Sequence, residues 1–229
     1  MLISGFQKSS MIDYPEKISA IIFTQGCNFK CPYCHNPELN ILNNRETEFS
    51  VSRVVEFLKS RVGKLDGVVI TGGEPTLHKD LPGLINTIKD FGFLVKLDSN
   101  GTNYDMLEKL VLDKKVDYVA MDIKAPLEKY NEVVCSNVPL ENVKKSIELL
   151  KSDKVDYEFR TTVVKSQFSA EDFDKIGKLI EGSKKYYLQK FLPTKTLDKN
   201  YLEQETYTTE EFAPIIQNLK QYIEKVELR

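Results

Sequence analysis

Six short apolar runs alternate with helix-like stretches along this chain, and this alternation restricts its fold more than any other feature. The runs that we predict as β-strands span residues 19–24, 67–71, 93–97, 118–123, 157–164 and 186–192. Between them, apolar residues recur at helical spacing, as at Leu81, Leu84, Ile85 and Ile88. Strands that alternate with helices form parallel βα units with right-handed crossovers. The predicted fold class is therefore α/β, with parallel strands and outer helices.

The number of βα units limits the architecture. The spacing of the apolar residues is compatible with either an open doubly wound sheet or a barrel, whereas a closed barrel of this type needs eight units. Six units therefore predict a partial (β/α)6 barrel with an open side. Because 229 residues suffice for one substantial core and no linker interrupts them, we expect a single domain over residues 1–229.

The composition is that of a globular protein and argues against several classes of function. Hydrophobic residues make up 41% and charged residues 29%, and 32 Lys and Arg stand against 34 Asp and Glu. A net charge of −2 disfavours a nucleic-acid binder, which needs a basic surface. No apolar run is long enough to span a bilayer, and the first residues lack a secretory signal. We therefore expect a cytoplasmic protein with no nucleic-acid or membrane partner.

Polar clusters follow four of the predicted strands, each at the point where the strand ends. The first strand leads into a loop with three cysteines, and the second ends at residues 72–75 (Gly-Gly-Glu-Pro). The third ends at residues 98–101 (Asp-Ser-Asn-Gly) and the fourth at residues 122–124 (Asp-Ile-Lys). In parallel α/β folds the carboxyl ends of the strands form the functional face. The sequence therefore predicts one composite active site.

The three cysteines Cys27, Cys31 and Cys34 are separated by three and then two residues, which indicates a metal site. Structural zinc takes four protein ligands, and the fourth would have to be His35 or the distant Cys135. Iron–sulfur clusters also usually take four thiolates, so three cysteines on a four-iron cluster leave one iron open for chemistry. A structural metal site and three incidental buried thiols are the alternatives.

The cysteine spacing, with Tyr33 just before the last cysteine, resembles the signature of the radical S-adenosylmethionine enzymes. Residues 72–75 resemble the second motif of that family, and the resemblance extends from about Ile18 to Leu192. It implies a partial (β/α)6 barrel in which Cys27, Cys31 and Cys34 hold a [4Fe-4S] cluster. It further implies that S-adenosylmethionine binds the open iron and yields a 5′-deoxyadenosyl radical after reduction.

Further motifs resemble the glycyl-radical-enzyme activating enzymes: residues 34–36 (Cys-His-Asn), 98–101 and 122–124. This resemblance implies that Lys124 approaches the S-adenosylmethionine carboxylate, that Tyr33 lies near the adenine and that the backbone of residues 72–74 receives the methionyl ammonium. The implied cofactor-binding residues are Tyr33, Cys34, His35, Gly72, Gly73, Glu74, Ser99, Asn100, Asp122 and Lys124. A monovalent cation near Asp98 and Asp122 is also implied, although Ser99 replaces the more usual threonine.

The stretches 5–15 and 24–38 are most similar to those of anaerobic ribonucleoside-triphosphate reductase activating proteins. This similarity implies abstraction of hydrogen from one glycine Cα of a partner reductase, with electrons from a flavodoxin- or ferredoxin-like donor. The alternatives are the activation of pyruvate formate-lyase or another glycyl-radical enzyme, and a radical enzyme for a small molecule, such as a deazapurine synthase. A non-catalytic zinc-binding interaction module is the alternative from a different class.

Three further residues and one segment are assigned from the sequence by their position. Arg160, within the fifth strand, either reaches the cofactor or a carboxylate inside the barrel, or forms a salt bridge at an edge. His78 is expected at the surface or behind the site, and Cys135 is expected to be a partly buried thiol. The long polar segment 193–207 is predicted to be a lid or a partner-facing loop.

Overall fold

The computed structural model describes residues 1–40 and 49–229 of the chain. The strands are β1 (Ile3–Ser10), β2 (Ser19–Thr24), β3 (Gly67–Gly72), β4 (Leu94–Ser99), β5 (Tyr118–Asp122), β6 (Asp156–Val163), β7 (Lys185–Lys190) and β8 (Lys225–Leu228). The α-helices are α1 (Val51–Lys59), α2 (Leu81–Asp90), α3 (Tyr104–Leu112), α4 (Tyr130–Val133), α5 (Leu140–Lys151), α6 (Ala170–Leu179) and α7 (Thr209–Leu219). Short 3-10 helices occupy Pro37–Leu39, Pro75–Leu77, Leu127–Lys129, Lys165–Gln167 and Lys199–Glu203.

The order of the strands distinguishes between the two architectures that the sequence allowed. The eight strands form one sheet in strict chain order, from β1 to β8. The pair of β1 and β2 is antiparallel, and every later pair is parallel. A doubly wound sheet would reverse its order at a switch point, and this sheet does not. The parallel strands with outer helices form an unclosed sheet, which confirms the predicted partial barrel.

The two faces of the parallel strands have different chemistry. In β4, Val95 and Leu97 are buried in the large core that the sheet shares with the helices. Lys96 and Asp98 alternate with them and therefore lie on the opposite face, inside the barrel. Tyr14, Ile21, Val69 and Tyr118 form a small separate core on this inner face. Charged side chains, among them Asp122, Glu158 and Arg160, also lie on it.

Two helices begin with reciprocal side-chain caps. Ser169 accepts a hydrogen bond from the Asp172 amide while the Asp172 side chain accepts one from Ser169, which opens α6. Thr208 and Glu211 form the same reciprocal pair at the start of α7. Among the described residues, no helix is both long and apolar enough to cross a membrane.

Two edge strands were not predicted. The strand β1 is partly exposed over most of its length, and its sequence (ISGFQKSS) lacks a continuous apolar run. The strand β8 has four residues, of which only Val226 is buried. Because edge strands have a neighbour on one side only, they need less apolar surface. They therefore lack the continuous apolar run that predicts a buried strand.

An ion pair between the buried Glu158 and the partly exposed Arg229, the residue after β8, fastens the last strand to the barrel interior. Arg229 donates from both Nη atoms to the Glu158 carboxylate, at 2.8 Å and 3.1 Å, and Tyr118 donates to the same carboxylate at 2.9 Å. The Glu158 side chain is only 1% exposed. A buried carboxylate that loses its cation pays the desolvation cost without compensation, so this pair secures the last strand.

We expect Arg229→Ala to lower the free energy of unfolding by about 2 kcal/mol, because Glu158 would keep only the neutral Tyr118 donor. Urea unfolding of the metal-free protein would measure this change. Lys225→Ala in the neighbouring strand β8 is the matched control. Its ion pair with Glu227 is half-exposed and should contribute less than about 0.5 kcal/mol. Equal losses in the free energy of unfolding from the two substitutions would contradict the proposed role of the Arg229–Glu158 pair.

Candidate active site

All of the residues that the sequence predicted for the site line one cavity at the carboxyl ends of the parallel strands. They are Cys27, Cys31, Tyr33, Cys34, His35, Gly72, Gly73, Glu74, Asp98, Ser99, Asn100, Asp122 and Lys124. Arg160 lines the same cavity. The four polar clusters therefore converge as the strand order requires, since parallel strands end at one edge of the sheet.

The cysteine loop follows β2 and is held by its own backbone. The Cys34 amide donates to the Cys31 carbonyl at 3.0 Å, and the Phe29 amide donates to Cys27 Sγ at 3.4 Å. Burial raises the pKa of the Cys27 thiol to about 12 and that of the Cys31 thiol to about 11. Because metals bind the thiolate, loading of this loop must release protons.

The cysteine thiols of the cavity are donors suited to a [4Fe-4S] cluster, in which each cysteine binds a different iron. Within residues 1–40 and 49–229, no three His, Cys, Asp or Glu side chains are placed to hold one metal ion together. The three cysteines line the same cavity, and they are the donor type that iron–sulfur clusters use.

The two glycines after β3 let this turn touch the cysteine loop. A Cβ on Gly73 would lie 2.0 Å from the Gly26 carbonyl oxygen, and one on Gly72 would lie 2.4 Å from the Thr24 nitrogen. Gly72 also has a φ of +117°, which side chains rarely allow. The Gly73 and Glu74 amides donate to the Thr24 and Gly26 carbonyls, at 2.9 Å and 2.8 Å. The two glycines therefore permit a close approach between two backbone segments of the chain itself.

Glu74 connects the loops after β3 and β4. Its side chain is 1% exposed and accepts four hydrogen bonds. The donors are the Thr76 amide at 3.0 Å, Thr76 Oγ1 at 2.5 Å, Ser99 Oγ at 2.9 Å and the Asn100 amide at 2.6 Å. Burial raises the pKa of this carboxyl, and the four donors oppose that rise. Asn100 Nδ2 in turn donates to Asn28 Oδ1 at 2.8 Å, which joins the cysteine loop to the same network.

Five alternating charges lie in a row across β4, β5 and β6, and we call them the ionic ladder. Lys96 Nζ lies 2.5 Å from Asp98 Oδ1, and Arg160 Nη1 lies 3.2 Å from Asp98 Oδ2. Arg160 Nε lies 3.0 Å from Asp122 Oδ1, and Lys124 Nζ lies 3.0 Å from Asp122 Oδ2. Arg160 therefore faces carboxylates inside the barrel, which decides between its two predicted positions. Lys96 was missed in the sequence, although its i, i+2 spacing to Asp98 places both on one strand face.

The ladder keeps its members charged. Burial acts to raise the pKa of Asp122, but the charges of Arg160 and Lys124 outweigh it and lower the pKa to about 2. Burial likewise acts to lower the pKa of Lys124, and the charge of Asp122 reverses this and raises it. The pKa of Asp98 is lowered for the same reason as that of Asp122, by Arg160 and Lys96 against burial. The cavity therefore presents fixed cations to any anionic group that enters.

The segment 193–207 lies against the cysteine loop. The Asp198 amide donates to the Pro32 carbonyl at 2.9 Å, and the rings of Tyr201 and Tyr33 are 6.4 Å apart. Just before this segment, the Leu192 carbonyl accepts a hydrogen bond of 2.9 Å from His35 Nε2. Since the carbonyl can only accept, Nε2 of His35 carries a proton.

The two remaining uncertain residues lie outside the cavity lining. Cys135 is exposed, in contrast to the partly buried thiol that we expected, because it sits at a turn with a φ of +49° after α4. His78 Nε2 donates to the Gln25 carbonyl at 2.9 Å, behind the turn after β3, and burial lowers the pKa of this side chain.

We expect Gly73→Ala to prevent the correct placement of the cysteine loop, because its Cβ would overlap the Gly26 carbonyl. The loss should exceed about 2 kcal/mol in the free energy of unfolding and should abolish loading with iron and sulfide. Gly83→Ala in α2 is the matched control, because a Cβ there meets no atom within 4 Å. It should stabilise the protein by about 0.5 kcal/mol or leave it unchanged. Normal loading of the Gly73 variant would contradict the contact.

Comparisons with known proteins agree with this geometry. The model of the radical SAM superfamily matches residues 21–180. A protein of Methanocaldococcus jannaschii assigned as a glycyl-radical enzyme activating enzyme is 37% identical over 234 residues, covering 100% of this chain and 95% of that protein. A pyruvate formate-lyase-activating enzyme of Clostridium pasteurianum is 29% identical over 126 residues, covering 53% of this chain and 52% of that enzyme.

A solved structure shares the fold. Streptococcus suis SuiB bound to S-adenosylmethionine superposes with a TM-score of 0.68 at 15% identity, covering 91% of this chain and 49% of the SuiB chain. This chain thus spans about half the length of SuiB, and at that identity the likeness concerns the fold alone. The family match and the full-length relative carry the assignment. Enzymes of this superfamily carry a [4Fe-4S] cluster and use S-adenosylmethionine. The chain belongs to the radical SAM superfamily of oxidoreductases and, within it, to the glycyl-radical-enzyme activating enzymes.

Proposed function

We propose that this chain, acting as one domain over residues 1–229, generates a glycyl radical on anaerobic ribonucleoside-triphosphate reductase. The observation that carries the proposal is the single cavity, which collects three cysteines, the turn after β3 and the ionic ladder. In this proposal, Cys27, Cys31 and Cys34 hold a [4Fe-4S] cluster, and S-adenosylmethionine occupies the same cavity. The bound cofactors supply the abstraction of a hydrogen atom from a glycine Cα.

The charged residues of the cavity suit the methionyl part of S-adenosylmethionine. Its carboxylate would face Lys124, whose ammonium is fixed by Asp122 at 3.0 Å and is therefore positioned before the ligand arrives. Its ammonium needs acceptors, and the carbonyls of Gly72 and Gly73 are the backbone acceptors of the adjoining turn. Glu74 acts indirectly, because its carboxylate is occupied in holding the turn.

The remaining cavity residues suit the nucleoside part. Tyr33 and His35 offer ring surfaces next to Cys34, and the ring of His35 is held by Phe191, with which it stacks at 5.4 Å. Ser99 and Asn100 line the cavity, but their side chains already bind Glu74 and Asn28. Their proposed part is to shape the cavity wall.

The choice of partner rests on the stretches 5–15 and 24–38, whose motifs resemble those of reductase activating proteins. Activation of pyruvate formate-lyase is the second candidate, favoured by the similarity to the Clostridium pasteurianum enzyme. Both reactions would use the same cofactor residues. We further propose a flavodoxin- or ferredoxin-like electron donor and a location in an anaerobic cytoplasm, because a cluster with one open iron is sensitive to oxygen.

We expect Cys34→Ala to abolish cluster loading and the cleavage of S-adenosylmethionine, because one iron would lose its thiolate. Iron and sulfide analysis after anaerobic reconstitution, together with detection of 5′-deoxyadenosine, would measure both effects. Cys135→Ala is the matched control, since this exposed cysteine lies outside the cavity lining. Cleavage that persists in the Cys34 variant would remove this residue from the ligand set.

The partner can be identified by electron paramagnetic resonance under strict anaerobiosis. Reduced, reconstituted protein with S-adenosylmethionine would be mixed in parallel with anaerobic ribonucleotide reductase and with pyruvate formate-lyase from the same host. We expect a glycyl-radical signal with the reductase only. A signal with the lyase only would replace the partner and keep the reaction. Release of 5′-deoxyadenosine without either signal would direct the search to small-molecule substrates.

A further inference from the structure

The two aspartates that the family resemblance connects with a monovalent cation are already supplied with cations by the protein. Each of the four carboxylate oxygens of Asp98 and Asp122 lies within 3.2 Å of a nitrogen on Lys96, Arg160 or Lys124. Three positive side chains therefore surround two negative ones. The ionic ladder has a net charge of +1 without any metal.

A monovalent metal ion does not fit this arrangement. Such an ion needs oxygen atoms with lone pairs directed at it, as in potassium sites built from carbonyl groups. Here each carboxylate oxygen already accepts an N–H group from a cationic side chain, which leaves it one lone pair. An added metal ion would also be repelled by three cations, and repulsion is strong where water is largely excluded. The residues of the ionic ladder therefore do not fit the monovalent cation that the family resemblance implies.

Lys96 is the member of the ladder that creates this disagreement. Its side chain is 2% exposed, and lysine is rarely buried to this extent without a partner. It lies two residues before Asp98 on the same face of β4, one step deeper in the barrel than the cavity lining. Its ammonium lies 2.5 Å from Asp98 Oδ1, so it faces the aspartate from below and leaves the cavity free.

We infer that the Lys96 ammonium replaces the monovalent metal ion at Asp98, so that this enzyme binds S-adenosylmethionine without potassium or sodium. The part of the inference that concerns S-adenosylmethionine rests on the proposed function. Lys96 is a positioning residue: it neutralises Asp98, which leaves Arg160 to bridge both aspartates and Asp122 to orient Lys124. The lysine ammonium is covalently attached to the chain, whereas a metal ion can dissociate.

Thallium(I), which stands in for potassium, tests the metal site without any cofactor. Equilibrium dialysis of the metal-free protein should show no stoichiometric thallium binding to the unsubstituted chain. Lys96→Met removes the ammonium and keeps a side chain of similar length. This variant should therefore bind thallium at the Asp98 oxygen that has lost its ammonium partner. Lys109→Met, on the exposed face of α3, is the matched control and should behave as the unsubstituted chain. Thallium binding to the unsubstituted chain, or to neither protein, would overturn the inference.

S-adenosylmethionine affinity tests the consequence. The affinity of the cluster-loaded protein for S-adenosylmethionine should differ by less than about twofold between potassium chloride and tetramethylammonium chloride. Lys96→Met should bind at least about tenfold more weakly in tetramethylammonium and recover in potassium. A potassium requirement in the unsubstituted protein, or a salt-independent affinity in the variant, would overturn the inference. If the unsubstituted protein binds no S-adenosylmethionine in either salt, the proposed function fails, and the thallium experiment still decides the role of Lys96.

Discussion

The buried carboxylate of Glu74 is the interaction on which the geometry of the site depends. Its four hydrogen bonds hold the loop after β4 against the turn after β3, and the glycines beside it hold that turn against the cysteine loop. Desolvation of a carboxylate is costly, and four donors offset this cost only if every loop is in place. Three loops from three strands therefore adopt one joint arrangement.

The partial barrel makes a charged interior possible. A sheet in strict chain order has its helices on the outer face, so the inner face is available for polar side chains. The ionic ladder occupies the inner face below the cavity, and the pair of Glu158 and Arg229 lies further along it. Isolated charges would destabilise such an interior, whereas alternating charges with short contacts compensate one another. The ionic ladder therefore forms a fixed layer of paired charges beneath the cavity.

Most of the fold could be predicted because buried parallel strands have a strong sequence signal. The predicted run at residues 19–24 coincides with β2, and the other five differ from the observed strands by one or two residues at their ends. The edge strand β1 escaped prediction because pairing with one neighbour requires few apolar residues. The choice between a barrel and a doubly wound sheet also required the structure, because the apolar period carries no information about strand order.

That these residues line one cavity was predictable from the sequence, but the contacts between them were not. The rule that strands of a parallel sheet end at one face brought four motifs to one cavity. The same rule cannot say that Ser99 binds Glu74, or that Arg160 joins Asp98 to Asp122. These contacts depend on side-chain directions across neighbouring strands. Lys96 was overlooked because a charge inside an apolar run is usually assigned to an exposed face.

The contact between Gly73 and Gly26 has a consequence for how such chains diverge. The glycine pair in the turn after β3 is required by the meeting of two backbones, whether or not a cofactor is bound. Lys124 meets no comparable steric demand, because its ammonium pairs with Asp122, which Arg160 also neutralises. A descendant that had lost its chemistry would therefore retain the two glycines for as long as it kept its fold, and the lysine would be free to drift.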